Sequence, residues 1–483
     1  MFLNTRFVLL SIKYLLLICF LCASIIVKAD EYNSDSVSTG NIENVQFHSL
    51  DDYFKKGSFN VHARTYFMST INEGSLKDDY ALAAGAGIGY RSAPLHGLGF
   101  GISGFFIIDV ASSKLEERDP ITNQMNRYEL ALFDLIHPEN KSVLNRLEEG
   151  YVYYKHKWID IHLGRINLNT PFINAQDGRM CPSLEQGAWI KLTPHKLISI
   201  EGGWLRAFSP RGTVLWYNAG SSIGIFPVGV NTLGEKSGYG GNTNTKGVGV
   251  FNLKAQPKNM EIDFWNYTIQ NVSNTAFLQT FYNFKISSKS KIRLGIQAVK
   301  QDKIKLGGNH NIAETYYEGK GTIVVSSRIE FNSANNIINF NYARFSSEGR
   351  FLFPREWGRD PFFTFIPRER NEGAGGIHAF SMNYMHFFKT QGWIAGISSG
   401  IYQMPDVKNY RLNKYGLGDY VHLNTNIKYE FQHKLRGLDV MVQLISKLNI
   451  DEQDLPEKHI YNRVNLFHTN VIINYYFNHS AQH

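Results

Sequence analysis

Short segments of this chain alternate apolar and polar residues with a period of two, the spacing at which successive side chains of a β-strand point to opposite faces. In 57–70, Phe59, Val61, Ala63, Thr65 and Phe67 alternate with Asn60, His62, Arg64, Tyr66 and Met68. In 259–268, Met260, Ile262 and Phe264 oppose Glu261, Asp263, Trp265 and Tyr267. The pattern returns in 276–286, where Leu278, Thr280, Tyr282 and Phe284 oppose Gln279, Phe281 and Asn283, and in 291–299, where Ile292, Leu294 and Ile296 oppose Arg293 and Gln297. It is cleanest in 421–431, with Leu423, Ile427 and Tyr429 opposite His422, Asn424, Asn426 and Lys428, and it closes in 466–477 on Phe467, Val471, Ile473, Tyr475 and Phe477. Weaker pairs are expected at 81–90 and 98–110, joined near Ser92–Gly97, and at 151–164. Together these give roughly sixteen to eighteen strands.

One face of each segment is uniformly apolar, while the other mixes single charges, amides and aromatics. A membrane does not accommodate such charges, so they belong in a hydrated interior and the apolar set against lipid. In hydrocarbon every strand edge must be paired, which leaves a closed antiparallel barrel. A large soluble β-sandwich is the competing reading, with a one-sided pattern that looks similar. No fixed repeat points to a solenoid or propeller. The segments 165–182 and 209–246 exceed ordinary connections and are expected to be extracellular loops or loops folded into a pore. The low-bulk run Gly85–Gly89 marks tight curvature or close contact with such a loop.

The termini frame this barrel. Arg6 and Lys13 flank or interrupt an apolar run from Phe7 to Val27, followed by Val27-Lys28-Ala29, which reads as a signal peptide over 1–29. Residues 30–56 are polar and weakly patterned, a flexible lead-in; 57–477 is the barrel and 478–483 a short polar tail. Removing Arg6, Lys13 and Lys28, with no acid lost, lowers the formal charge from +8 to +5, too mild a bias to argue for nucleic acid. Cys181 alone remains beyond the signal, so no internal disulfide staples the exported chain. The 33 Phe and 26 Tyr suit the aromatic girdles of a barrel. No nucleotide motif, metal spacing or triad appears, so neither cofactor nor catalysis is expected.

The chemistry concentrates in 351–373, FLFPREWGRDPFFTFIPRERNEG, where Arg355, Arg359, Arg368 and Arg370 stand among Glu356, Asp360, Glu369 and Glu372. Planar guanidinium groups held among carboxylates suit reading a carboxylate or lining a polar passage. Read blandly, the stretch is a surface loop laced with weak ion pairs. By strand parity Arg64, Arg293, Arg328 and Lys428 face the interior, with Glu261 and Asp263 on the opposite side. Arg165 and Arg206 fall on outward faces at strand ends, where they either reach the headgroup level or are turned inward by a bulge. Few interior cations are expected after residue 380, Lys428 being the clearest.

The segments GRINLNTPFINAQDGRM (164–180) and PREWGRDPFFTFIPRERNEG (354–373) resemble the OprD family of bacterial outer-membrane porins, a likeness extending loosely from Gly57 to Phe477. The resemblance implies an eighteen-stranded barrel whose inward-folded loops constrict the pore, with basic residues guiding small carboxylate-bearing solutes such as amino acids, peptides or organic acids. Carried over by motif, Arg165, Asp177 and Arg179 would shape the constriction, and Arg355, Arg359, Arg368 and Arg370 would form a late basic segment. Glu356, Asp360 and Glu369 depart from that picture, since they neutralise some of these arginines. The expected partners are the solutes, outer-membrane lipid and lipopolysaccharide, and the barrel-assembly machinery, in a monomer, with a trimer as the alternative. A structural or adhesive barrel whose long loops make contacts is the competing function.

Overall fold

The computed structural model describes residues 50–141, 144–176, 178–388, 392–451 and 455–480; the expected signal peptide and Asp177 lie outside them. The alternating segments become strands β1 (Ser58–Asn72), β2 (Asp79–Arg91), β3 (Leu98–Ser112), β4 (Leu144–His156), β5 (Ile159–Ile166), β6 (Leu184–His195), β7 (Ile198–Ser209), β8 (Val248–Ala255) and β9 (Met260–Ile269). The second half supplies β10 (Ser273–Lys285), β11 (Lys291–Lys303), β12 (Thr322–Asn332), β13 (Asn336–Phe345), β14 (His378–Phe388), β15 (Trp393–Gln403), β16 (Tyr420–Glu430), β17 (Leu438–Asn449) and β18 (Leu466–Ser480). The sheet contains 19 strands, one of them the two-residue Tyr217–Asn218 beside β7, so eighteen make the wall. Each pairs antiparallel with its sequence neighbours, and β1 closes the ring against β18 from Ser58↔Ser480 to Asn72↔Leu466. No strand of the wall is left as an open edge, the condition hydrocarbon imposes. Among the described residues no helix is long and apolar enough to cross a membrane.

The wall alternates as its sequence does. Along β1 the side chains of Arg64, Tyr66, Met68, Thr70 and Asn72 are buried toward the interior, while Phe59 and Val61 are exposed outside. The same parity holds in β11, where Gln297, Val299 and Gln301 are buried and Leu294 and Ile296 exposed. Paired rings such as Trp393 with Tyr429 (4.6 Å) and Phe59 with Tyr90 (4.8 Å) crowd the outer surface at the end of the short turns. The longer connections, including 113–143, 167–183, 210–247, 304–321, 346–377, 404–419 and 450–465, all follow odd-numbered strands and so share the opposite end.

Two readings at the termini change. Within the stretch read as lead-in, Leu50–Lys55 forms a helix, held where Tyr53 donates to Ser92 Oγ (2.8 Å) and Phe54 meets Phe100 edge-on. The last strand runs on to Ser480 rather than ending at 477, because β1 extends far enough to pair its backbone. Residues 432–436 hold one turn of 3-10 helix at His433–Leu435.

The interior is packed from two sides. One apolar cluster joins β5–β16 to the loops through Phe172, Tyr267, Phe277, Phe351, Phe353 and Trp357. A second joins β1–β4 and β18 to Leu115, Tyr128, Leu130, Leu132 and Phe133 of the loop after β3 and to Met180 and Cys181. Here the low-bulk run finds its reason. A Cβ on Gly85 would lie 2.5 Å from Phe105 and Phe106 and 3.0 Å from Met180 of the inserted loop 167–183.

Candidate functional site

The loop 346–377 crosses the barrel interior. Its neck is closed by Phe351 N–H to Ala374 O (2.9 Å) and Gly373 N–H to Phe351 O (2.8 Å), with Gly373 in the left-handed region that glycine tolerates (φ 93°). Pro354, Pro361 and Pro367 deny the segment a regular ladder. Its carbonyls and amides are satisfied instead by side chains on the wall. Gln301 clasps Leu352 through both its N–H and C=O (2.9 and 2.7 Å), and Gln297 does the same for Phe363 N–H (3.2 Å) and Pro361 O (2.9 Å). Arg328 donates to Phe363 O (3.2 Å) and Tyr402 to Thr364 O (2.7 Å).

Aromatic packing fixes the near end. Trp357 is fully buried, stacked on Phe208 at 4.1 Å, and donates to Ser222 Oγ (2.8 Å). Phe172 of the loop 167–183 stacks on Phe353 (4.8 Å), and Asn174 pairs with the backbone of Arg359 in both directions (3.1 and 3.3 Å). The two segments singled out in the sequence are thus packed on each other. The far end reaches the opposite wall, where Arg368 donates to Tyr66 Oη (3.2 Å) and Asn470 Oδ1 (3.0 Å). Arg368 holds a φ of 72°, unusual for a residue with a Cβ, and these two bonds offset that strain.

Beside this far end lies a small opening, lined by Arg127, Tyr128, Arg355, Arg368, Glu369, Arg370, Glu372, Tyr415, Leu417, Lys447 and Arg463. Six cations therefore face two carboxylates, and both carboxylates are already engaged. Glu369 is contacted by Lys447 Nζ (3.1 Å), His422 Nδ1 (3.1 Å) and the Tyr420 hydroxyl. Burial alone would raise its carboxyl, but Lys447 and His422 outweigh that and hold it down at about 2. Glu372 lies 3.4 Å from Arg355 Nε and 3.6 Å from Lys414 Nζ, and accepts from Tyr415 (3.0 Å). Lys414 sits among the rings of Tyr239, Tyr316 and Tyr415 (4.6–5.2 Å), where burial lowers it to about 8 against the pull of Glu372.

The expected residues distribute as follows. Arg355, Arg368 and Arg370 meet at the opening. Arg370 donates to Gly358 O (3.1 Å); burial lowers its guanidinium, and the nearby Asp360 charge offsets only part of that. Arg359 is exposed over Phe365 instead. Arg328 grips the loop and leans on the Phe363 ring (4.6 Å). Arg293 pairs with Glu261 (3.0 Å) over Phe281, and Asp263 accepts from Asn252; both acids face the interior away from the opening. Arg64 is buried beside Tyr66 (5.8 Å), and Lys428 pairs with Glu430 (2.8 Å) toward the short-turn end. Arg179 is buried and turned onto Gly178 O. Arg165 stacks on Trp216 (4.7 Å) at the top of β5, and Arg206 stands exposed on the face of Trp204.

Three residues correct the expectation of few late interior cations: Lys414 and Lys447 are buried and Arg463 lines the opening. Lys447 was legible, since it shares the interior parity of Gln443 and Ile445 in β17. Arg127, Tyr128 and Arg463 lie in loops, where no period marks them. Glu356 lies close enough to Arg355 to feel its charge and also accepts the backbone amides of Gly224 (3.0 Å) and Phe226 (2.9 Å).

No protein-family model matches the chain, and no curated protein matches it in sequence. Solved structures match it in fold. Pseudomonas aeruginosa OccK9 (OpdG) superposes with a TM-score of 0.69 at 12% identity, over 88% of this chain and 100% of that one. Pseudomonas aeruginosa OpdK, solved with vanillate, gives 0.69 at 11% over 88% and 100%. Acinetobacter baumannii OccAB4 gives 0.68 at 13% over 88% and 98%. The likeness is one of fold: a closed barrel of the kind the OprD resemblance led us to expect.

Proposed function

We propose that this chain is an outer-membrane porin through which small carboxylate-bearing solutes diffuse passively, by way of the opening beside Arg368. The observation that carries the reading is the imbalance at that opening, six cations against two carboxylates that are both already paired. A solute carboxylate entering there meets guanidinium groups in a narrow, partly desolvated passage, a local gain of a few kcal/mol at most. Spread over several weak positions, that gain recruits a solute without trapping it. The exposed apolar outer face and paired strand edges suit the barrel to an outer membrane, with lipid and lipopolysaccharide around it and barrel-assembly machinery to insert it. The fold shared with OpdK, solved with an aromatic carboxylate, is in keeping with this solute class.

The test is ion current through purified protein in planar bilayers with a salt gradient. A reversal potential favouring chloride, together with current block by small carboxylates, supports the reading. The competing reading, a plugged structural barrel, draws on the two apolar clusters that fill much of the interior. It requires no conductance.

A further inference from the structure

The outer face of β5–β7 changes character at its loop end. Ile161 stands beside Ile190, and Leu163 beside Ala188 and Trp204, an apolar surface suited to lipid. The next row toward the long loops, about 7 Å on, carries Arg165 opposite Gln186, with Arg206 beyond it. Ile166 and Glu185 are buried on the interior side, which turns Arg165 and Gln186 outward. Arg206 is the extra residue of a β-bulge, since Gln186 pairs with Ala207 and Gly187 with Leu205. Leu205 and Phe208 are both buried inside, so Arg206 and Ala207 share the outer face. The backbones of the two arginines are about two strand spacings, or 10 Å, apart.

Their charge is unanswered. Among the described residues neither arginine has a carboxylate in ion-pair contact. Arg165 lies on Trp216 (4.7 Å), whose indole N–H donates to Leu147 O (3.0 Å), and Arg206 is exposed. Lys246, exposed just before β8, adds a third cation. Other outward cations at this end are engaged: Lys300 with Asp302 (3.5 Å) and Arg344 with Ile377 O (3.2 Å). Trp204 rests over Gly249, where a Cβ would lie 3.5 Å from its ring, and so stays spread on the wall below Arg206. An indole below and a guanidinium above is the order of a membrane interface, with the ring toward acyl chains and the cation toward head groups.

We propose that Arg165, Gln186 and Arg206 form a site on the outside of the barrel for the phosphorylated sugar head of lipopolysaccharide, its acyl chains lying over Leu163 and Trp204. Solutes in the lumen do not reach this face, so its ligand is part of the surrounding bilayer. Long loops mark the extracellular end, which places the row in the outer leaflet. Guanidinium groups bind phosphate oxygens bidentately, and an amide between two of them suits a head group in which phosphates alternate with hydroxyls better than a bare phosphodiester. The inference rests on the outer-membrane placement in the porin reading and not on its solute path, so lipid binding and ion current are separate readouts.

Native mass spectrometry of the full chain in detergent tests it, with lipid A, the same lipid stripped of its phosphates, and phosphatidylglycerol as probes. The unaltered protein should hold lipid A about tenfold more tightly than either of the others. Arg165→Gln with Arg206→Gln should erase that preference, and lysine at both positions should restore part of it. Arg206→Gln alone breaks no side-chain bond among the described residues and should weaken lipid A binding even where the double variant fails to fold. Lys300→Gln should leave binding unchanged. Equal retention of lipid A and its stripped form, equal retention of phosphatidylglycerol, or loss in Lys300→Gln as large as in Arg206→Gln each overturns the site. Chloride-selective current that persists beside any of these results leaves the porin reading standing.

Discussion

Replacing Glu369 by glutamine keeps its shape and removes the charge on which Lys447, His422 and Tyr420 converge. Glu369 and Lys447 are both buried, 3.1 Å apart, so the variant strands an ammonium in the barrel interior. Breaking a buried pair from one side costs about 3–5 kcal/mol. An independent route gives a similar size. A carboxyl held at about 2 against an ordinary 4.5 contributes about 3 kcal/mol to the folded arrangement at neutral pH. Because the carboxyl is depressed, that contribution is present above pH 4.5 and is lost as pH falls toward 2. The unit it holds is the far end of the loop 346–377, so the effect should appear as local loosening rather than loss of the barrel. Limited proteolysis and backbone hydrogen exchange on reconstituted protein read it directly. The unaltered loop should resist protease at pH 7 and loosen as the pH approaches 2. Glu369→Gln should expose it at pH 7, and the added Lys447→Met should restore most of the resistance, because no buried charge is then left alone. A Glu369→Gln loop as resistant as the unaltered one at pH 7 would refute this reasoning.

Three further outcomes follow from the same geometry. Arg368→Ala removes a cation and both bonds to the far wall, so chloride selectivity should fall and current noise rise; the reversal potential and the noise spectrum measure these. Trp357→Ala empties a fully buried site stacked on Phe208, at a cost of about 3–5 kcal/mol to the seating of the loop, and single-channel conductance should increase. Glu129, on the loop 113–143, accepts from Thr70 and Asn126 and is raised by burial to about 7. Its raised carboxyl favours the seated loop by about 3 kcal/mol below pH 4.5, a contribution gone by pH 7. Hydrogen exchange in 113–141 should therefore quicken between those values, and Glu129→Gln should abolish the dependence.

The wall was written in the sequence because a strand repeats every two residues and lipid demands one unbroken apolar face. Ile262 and Phe264 could be separated from Glu261 and Asp263 by counting alone. The loop path could not. Gln297 read as an ordinary interior amide, yet it and Gln301, four residues on in β11, hold the backbone groups of Phe363, Pro361 and Leu352, from a loop some fifty to seventy residues onward. The pairing of acids with arginines was legible in composition but not in detail: Glu372 meets Arg355, whereas Glu369 takes its cation from β17. Arg127 and Arg463 carried no signal, because loops have no period and the two meet only when separate connections fold into the same barrel mouth.

The central claim is that the uncompensated arginines at the opening lie in the path of permeating anions. The most direct measurement is the reversal potential of the unaltered channel under a tenfold potassium chloride gradient, compared with Arg127→Gln and Arg368→Ala. The account predicts a chloride-selective potential that shrinks in each variant; a cation-selective channel, or a potential neither variant moves, would contradict it.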